Sequence, residues 1–143
     1  MITYQCPICK TSCTEEQGKI ICDKKHTYFT NNGLLQFVQD QHTEIWDKYW
    51  KRIPVYDTIL DILRKIMNVQ LRRYLVKRIP VSGATLEPGG GSAFVSAMLA
   101  EEGYATSAMD YASIPLKIAQ EQLKSKATLI QGDLFNMPFV DES

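Results

Sequence analysis

Residues 84–110 constrain this chain most: they open Ala-Thr-Leu-Glu-Pro-Gly-Gly-Gly-Ser and close on Asp110. A short apolar run ends in Glu87 and three consecutive glycines follow. The next residues suit a helix, and nineteen positions after Gly91 a second short run ends in an acid. Strand, glycine turn, helix and strand in this order form an α/β unit built to hold a nucleoside. Glycines let the backbone approach a ligand, and an acid at the second strand end can accept hydrogen bonds from a ribose.

The loop discriminates between nucleosides. A dinucleotide fingerprint needs glycine at its first, third and sixth positions, the last for close helix–strand packing. Counted from Gly89, the sixth position is Phe94, which argues against that reading. Counted as acid-x-Gly-x-Gly-x-small, the residues are Glu87, Gly89, Gly91 and Ala93. This resembles the first motif of class I S-adenosylmethionine (SAM)-dependent methyltransferases, with Ala93 where a third glycine is usual. The added methyl is expected to crowd the methionine end of the cofactor.

The resemblance continues along residues 81–143. The run Tyr104 to Asp110 is similar to the family's second strand, whose terminal acid accepts both ribose hydroxyls, and Tyr111 follows it. Ala127 to Leu134 is similar to the third strand and adenine loop, and Met137-Pro138-Phe139 to the apolar segment after it. The implied cofactor-binding set is Glu87, Gly89, Gly91, Asp110, Tyr111, Asp133 and Leu134. Within it Asp133 would accept the exocyclic amine, and the Leu134 amide would face a ring nitrogen. Each piece has a plainer reading, as a tight turn at the glycines or a strand-end turn at either aspartate. The joint spacing favours the cofactor. SAM carries no phosphate and the loop carries no lysine, while Glu87 and Asp110 suit an ammonium, a sulfonium and a diol. A helix starting near Ser92 would direct its positive end at the methionine carboxylate.

At the amino terminus, Cys6-Pro-Ile-Cys9 is followed after twelve residues by Cys22 and after three more by His26. Two thiolates on one knuckle with a thiolate and an imidazole on another can close a tetrahedron around Zn²⁺. Four protein ligands leave no open position, so the expected zinc is structural. A ribbon this small buries too little apolar surface to fold without it. Cys13 is either a substitute ligand or a further thiol nearby, and the second reading is preferred. Disulfides are not expected, because the first residues form no signal peptide. A ribbon ahead of a SAM-binding fold resembles the bacterial ribosomal-RNA guanine-N1 methyltransferases. There Cys6, Cys9, Cys22 and His26 carry over, and the family's ribbon takes part in RNA recognition.

Residues 40–79 read as helical, with Pro54 separating a segment around 45–52 from one over about 55–79 that Pro80 stops. Ile59, Leu63, Ile66 and Tyr74 recur at helical spacing. Trp46, Tyr49 and Trp50 are read first as core between a helix and its neighbour, and second as the lining of a substrate entrance able to stack a base. His42 lies in a polar stretch with no partner to suggest a role. The net charge is zero, yet residues 1–80 hold 13 Lys+Arg against 8 Asp+Glu and residues 81–143 hold 3 against 8. Arg64, Lys65, Arg72, Arg73, Lys77 and Arg78 are read first as a solvated helix face, and second as a patch for an anionic partner such as RNA. The two halves would also attract each other. No run approaches the 18 apolar residues of a membrane span, and a cytoplasmic protein is expected.

The resulting expectation is a zinc ribbon (1–38), a helical connector (39–80) and a partial Rossmann-like SAM-binding domain (81–143). Strand candidates in the last part lie at about 82–87, 104–109 and 127–131, so the family's sheet is expected to be truncated after its third strand. The first strand would be an exposed edge, calling for self-association or a partner chain. The function implied is a SAM-dependent methyltransferase, or its cofactor-binding half, acting on RNA or a small molecule. Stand-alone activity stays open and no catalytic base is assigned. The alternative is a non-catalytic zinc-ribbon interaction module on a degenerate SAM fold.

Overall fold

A computed structural model of the chain describes residues 3–38, 44–51, 57–80, 83–124 and 126–141. Four short strands come first: β1 (Cys13–Glu16), β2 (Lys19–Cys22), β3 (Thr27–Asn31) and β4 (Leu34–Gln36). Two tight hairpins join β1 to β2 and β3 to β4. At the second, Asn32 and Gly33 have φ of 50° and 85°, and at the first Gln17 and Gly18 have 48° and 76°. Positive φ at both central residues is the turn whose twist matches paired antiparallel strands. Helices α1 (Glu44–Lys51) and α2 (Asp57–Val76) follow. The rest alternates as β5 (Ala84–Pro88), α3 (Phe94–Glu101), β6 (Ala105–Asp110), α4 (Ser113–Leu123) and β7 (Thr128–Gln131).

The strands form one seven-stranded sheet in the order β1-β2-β3-β4-β7-β6-β5. This corrects the expected sheet of about three strands truncated after the third. The parallel strands lie where anticipated, but the ribbon strands extend their sheet. β4 pairs with β7 in parallel, Leu34 opposite Leu129 and Leu35 opposite Ile130, while the ribbon pairings are antiparallel. The reason is the pleat, which sends successive side chains to opposite faces. Leu34, Leu129 and Ala108 join Leu116, Ala119 and Leu123 of α4 in one core. Their neighbours Leu35, Ile130 and Met109 join Ile20, Tyr28 and Phe37 in a second core beneath the ribbon. β4 is apolar on both faces and would expose one leucine or the other without β7. β5 is the outer strand on the far side.

Among the described residues, α2 docks through its carboxyl-terminal end. Leu71, Leu75, Val76 and Ile79 pack around Met98, Leu99 and Tyr104, and the Tyr104 hydroxyl donates to the carbonyls of Ile79 (3.0 Å) and Val76 (3.3 Å). Farther up the helix Ile62, Leu63, Ile66 and Met67 are exposed. Of the basic residues there, Arg72 pairs with Glu101 and Glu102, and Arg78 lies over the Tyr74 ring. Attraction between the halves therefore engages part of the basic face. Pro54, the start of the second helical segment at Val55, and His42 lie outside the described residues. Among those described, no helix is long and apolar enough to cross a membrane.

Candidate cofactor cleft and cysteine cluster

The glycine turn leaves β5 through left-handed backbone. Gly89 and Gly91 have φ of 67° and 53°, and buried Ala93 is held at 58°. That conformation explains why a glycine would suit position 93: a Cβ there is strained by about 1–2 kcal/mol. Asp110, at the end of β6, fastens the turn. Its Oδ2 accepts the Gly91 amide at 2.8 Å and its Oδ1 accepts the Ala112 amide at 2.8 Å. The amide of Gly90 donates to the Met109 carbonyl (3.0 Å) and that of Gly132 to the Asp110 carbonyl (2.9 Å). The loops after β5, β6 and β7 are thereby drawn to one point.

Glu87 faces elsewhere. Its carboxylate accepts the amides of Ser96 (2.7 Å) and Val95 (3.3 Å), capping α3 from the preceding strand. α3 begins at Phe94, two residues beyond the position read from sequence, and its first amides are occupied by a protein acid. The placement accounts for an acid at 87 by satisfying helix donors that no N-cap side chain supplies.

A cavity of about 590 Å³ opens beside the turn, within the usual range for small-molecule sites. It is lined by Gly89, Gly91, Asp110, Tyr111, Asp133, Leu134 and Phe135 together with Trp46, Tyr49 and Trp50 of α1. Six of the seven expected cofactor residues thus border one space, and Glu87 does not. Asp133 shapes its own loop: Oδ1 accepts the Phe135 amide (2.9 Å) and Oδ2 the Asn136 side-chain amide (3.0 Å). The preferred core reading of the aromatic trio is corrected: Trp46 and Tyr49 are 56% and 61% exposed, and all three rings line this cavity. Sequence reasoning missed Asp47, which fixes α1 to the start of α4. Its Oδ1 accepts the amides of Ser113 and Ile114 and its Oδ2 the Ser113 hydroxyl, each at 3.2 Å. No local motif marks such a cap across 66 residues.

The sulfur and nitrogen atoms of Cys6, Cys9, Cys22 and His26 lie within 4.8 Å of one another. Two turns of the same form bring them together. The Lys10 amide donates to the Cys6 carbonyl (2.9 Å) and the Lys25 amide to the Cys22 carbonyl (2.7 Å), and both lysines have positive φ. The Cys9 and His26 amides point at the sulfurs of Cys6 (3.5 Å) and Cys22 (3.3 Å). The Cys9–Cys22 sulfurs are 3.7 Å apart, and His26 Nδ1 is 3.5 Å from Cys6 Sγ and 3.4 Å from Cys22 Sγ. A tetrahedral zinc with Zn–S of about 2.3 Å and Zn–N of about 2.0 Å has edges of roughly 3.5–3.8 Å, so this donor set fits the metal. Hydrogen bonding from Thr11 lowers the Cys9 thiol to about 6. Cys13 is outside the cluster, and burial raises its thiol to about 11. Tyr28 closes the cluster from below, its hydroxyl 3.0 Å from Cys6 Sγ. A second cavity, of about 670 Å³, runs between Pro7 and Ile8 of the first knuckle and Tyr111 and Asp133 of the cleft.

Comparison with known proteins bears on the carboxyl-terminal part. Residues 86–143 match the family described as a methyltransferase domain. Among solved structures, a TehB-like SAM-dependent methyltransferase from Corynebacterium glutamicum is 18% identical over 65% of this chain and 46% of its own, at a TM-score of 0.42. The glycopeptide N-methyltransferase MtfA, complexed with SAM, is 24% identical over 45% of this chain and 29% of its own, at 0.40. YjhP from E. coli is 20% identical over 41% and 24%, at 0.34. The chain spans less than half the length of each of these three. No curated protein matches it. The matched stretch, under half of the chain, bears the glycine turn and both strand-end aspartates and is similar to a methyltransferase domain.

Proposed function

We propose that the chain is a SAM-dependent methyltransferase whose amino-terminal cluster holds a structural Zn²⁺. The observation that carries the reading is the single cleft bordered by Gly89, Gly91, Asp110, Tyr111, Asp133 and Leu134. Bound SAM would supply an activated methyl group on a good leaving group, so the protein's task is placement rather than bond polarisation. Asp110 is anchored by two amides and keeps further lone pairs for the ribose hydroxyls. Asp133 and the Leu134 amide would read the adenine edge, and the glycines make room for the amino-acid chain. Glu87 acts one step back, holding α3 and so the turn.

Cys6, Cys9, Cys22 and His26 would fill the zinc coordination sphere and leave no site for a reactive water. All four cysteines are free, which suits the reducing cytoplasm. The acceptor stands between RNA and a small molecule. The cationic excess of residues 1–80 favours an anionic acceptor, and the outer edge of β5 is where a second copy or another chain would pair.

Calorimetric titration of the zinc-loaded chain with SAM and with S-adenosylhomocysteine tests this reading. Roughly micromolar binding, lost in Asp110→Ala, is the expected result. A folded sample that binds neither compound would overturn it in favour of a non-catalytic zinc-ribbon interaction module.

A further inference from the structure

The cleft wall beside the glycine turn belongs to α1. Trp46, Tyr49 and Trp50 occupy positions i, i+3 and i+4 and share one helix face. The Trp50 ring lies so close to Gly91 that a Cβ on that glycine would sit 3.0 Å from Cζ2. The three Asp47 contacts hold α1 to the first turn of α4, immediately after Asp110 and Tyr111. The aromatic face is thus fixed against the cleft, although Trp46 and Tyr49 remain largely open to solvent. Core packing does not account for three large rings placed there.

The charges of the cleft sharpen the point. Among the described residues that line it, the only carboxylates are Asp110 and Asp133, each already engaged by neighbouring amides, and neither belongs to α1. The sulfonium of SAM joins the ribose to the amino-acid chain. A molecule with its ribose at Asp110 and its chain toward Gly89 and Gly91 carries its positive charge past the α1 rings. Aromatic faces attract a cation, indole most strongly.

Building on the SAM reading, we propose that the aromatic face of α1, with Trp50 foremost and Asp47 as its anchor, is a charge-selective wall that favours SAM over neutral S-adenosylhomocysteine. Trp50 is then a specificity residue and Asp47 a positioning residue. Loss of the charge on methyl transfer weakens the hold on the product.

The test is the ratio of the two Kd values, measured by calorimetry and by tryptophan emission. The chain has two tryptophans, both on α1, so emission reports directly from this wall. Trp50→Leu should lower the preference for SAM roughly fivefold, with S-adenosylhomocysteine affinity changed far less. Trp50→Phe, which keeps a ring, should restore most of the preference. If Trp50→Leu melts below the assay temperature, Asp47→Asn replaces it and should lower the same ratio while retaining every ring. An unchanged ratio, with both compounds still bound, overturns the charge-selective wall and leaves the SAM reading intact. Failure of the folded wild-type chain to bind either compound overturns both.

Discussion

The ribbon and the glycine-turn unit share a sheet but are held in shape by different means. Around the cysteine cluster, four donor atoms converge on short strands above a small core, and on the zinc reading the order there would depend on the bound metal. Around the glycine turn, order comes from backbone hydrogen bonds to Asp110 and Glu87 and from the apolar layer beneath α4. On the zinc reading, one region would be organised by a ligand. The other is organised so that a ligand can enter. Damage to the first should therefore be structural, whereas damage to the second should be graded and specific.

The largest effect should come from the cluster. Cys22→Ser, or chelation, is expected to remove the metal and unfold β1–β3, since structural zinc contributes about 10–16 kcal/mol in finger peptides. Metal content and amide dispersion would show it, and retention of the α3 and α4 helical signal would keep the two regions distinct. Simultaneous collapse would make them one cooperative unit. Next comes Asp110→Ala, expected to cost about 1–3 kcal/mol of stability from two stranded amides and more than about tenfold in SAM affinity, read by thermal melting and calorimetry. Glu87→Ala should cost about 1 kcal/mol through loss of the α3 cap, with a smaller change in SAM affinity than Asp110→Ala. Equal binding losses would place Glu87 against the ligand after all. Ala93→Gly is the mildest. Relief of left-handed strain, about 1–2 kcal/mol, outweighs the loss of one buried methyl, about 0.8 kcal/mol. The melting temperature should rise by roughly 3 °C.

Local patterns were legible. The spacing of Cys6, Cys9, Cys22 and His26 foretold their convergence, because each knuckle is a short-range turn. The order of strand, glycine turn, helix and strand was legible for the same reason, but the bond from the Gly91 amide to Asp110 was not. What could not be read required partners far apart in the chain. Leu34 and Leu35 look like the end of an isolated ribbon until Leu129 and Ile130 arrive beside them. Glu87 reads as a ligand acid because spacing alone does not show that its carboxylate turns back onto Ser96. The Trp46, Tyr49 and Trp50 pattern is the same whether the helix face meets a core or a cleft. Asp47, finally, is an unremarked surface acid until α4 is set against it.

The pairing of β4 with β7 also sets an order of events. Gln36 and Gln131, whose side chains bond across that seam, are 95 residues apart, so the loop to be closed is long and its closure slow. The ribbon strands, by contrast, pair through tight hairpins and emerge first from the ribosome. On the zinc reading, a nascent chain could capture the metal before β7 has been synthesised, while β4 lacks its parallel partner. During that interval an apolar edge is exposed to aggregation, and prior metal loading would limit how much of the chain remains unfolded.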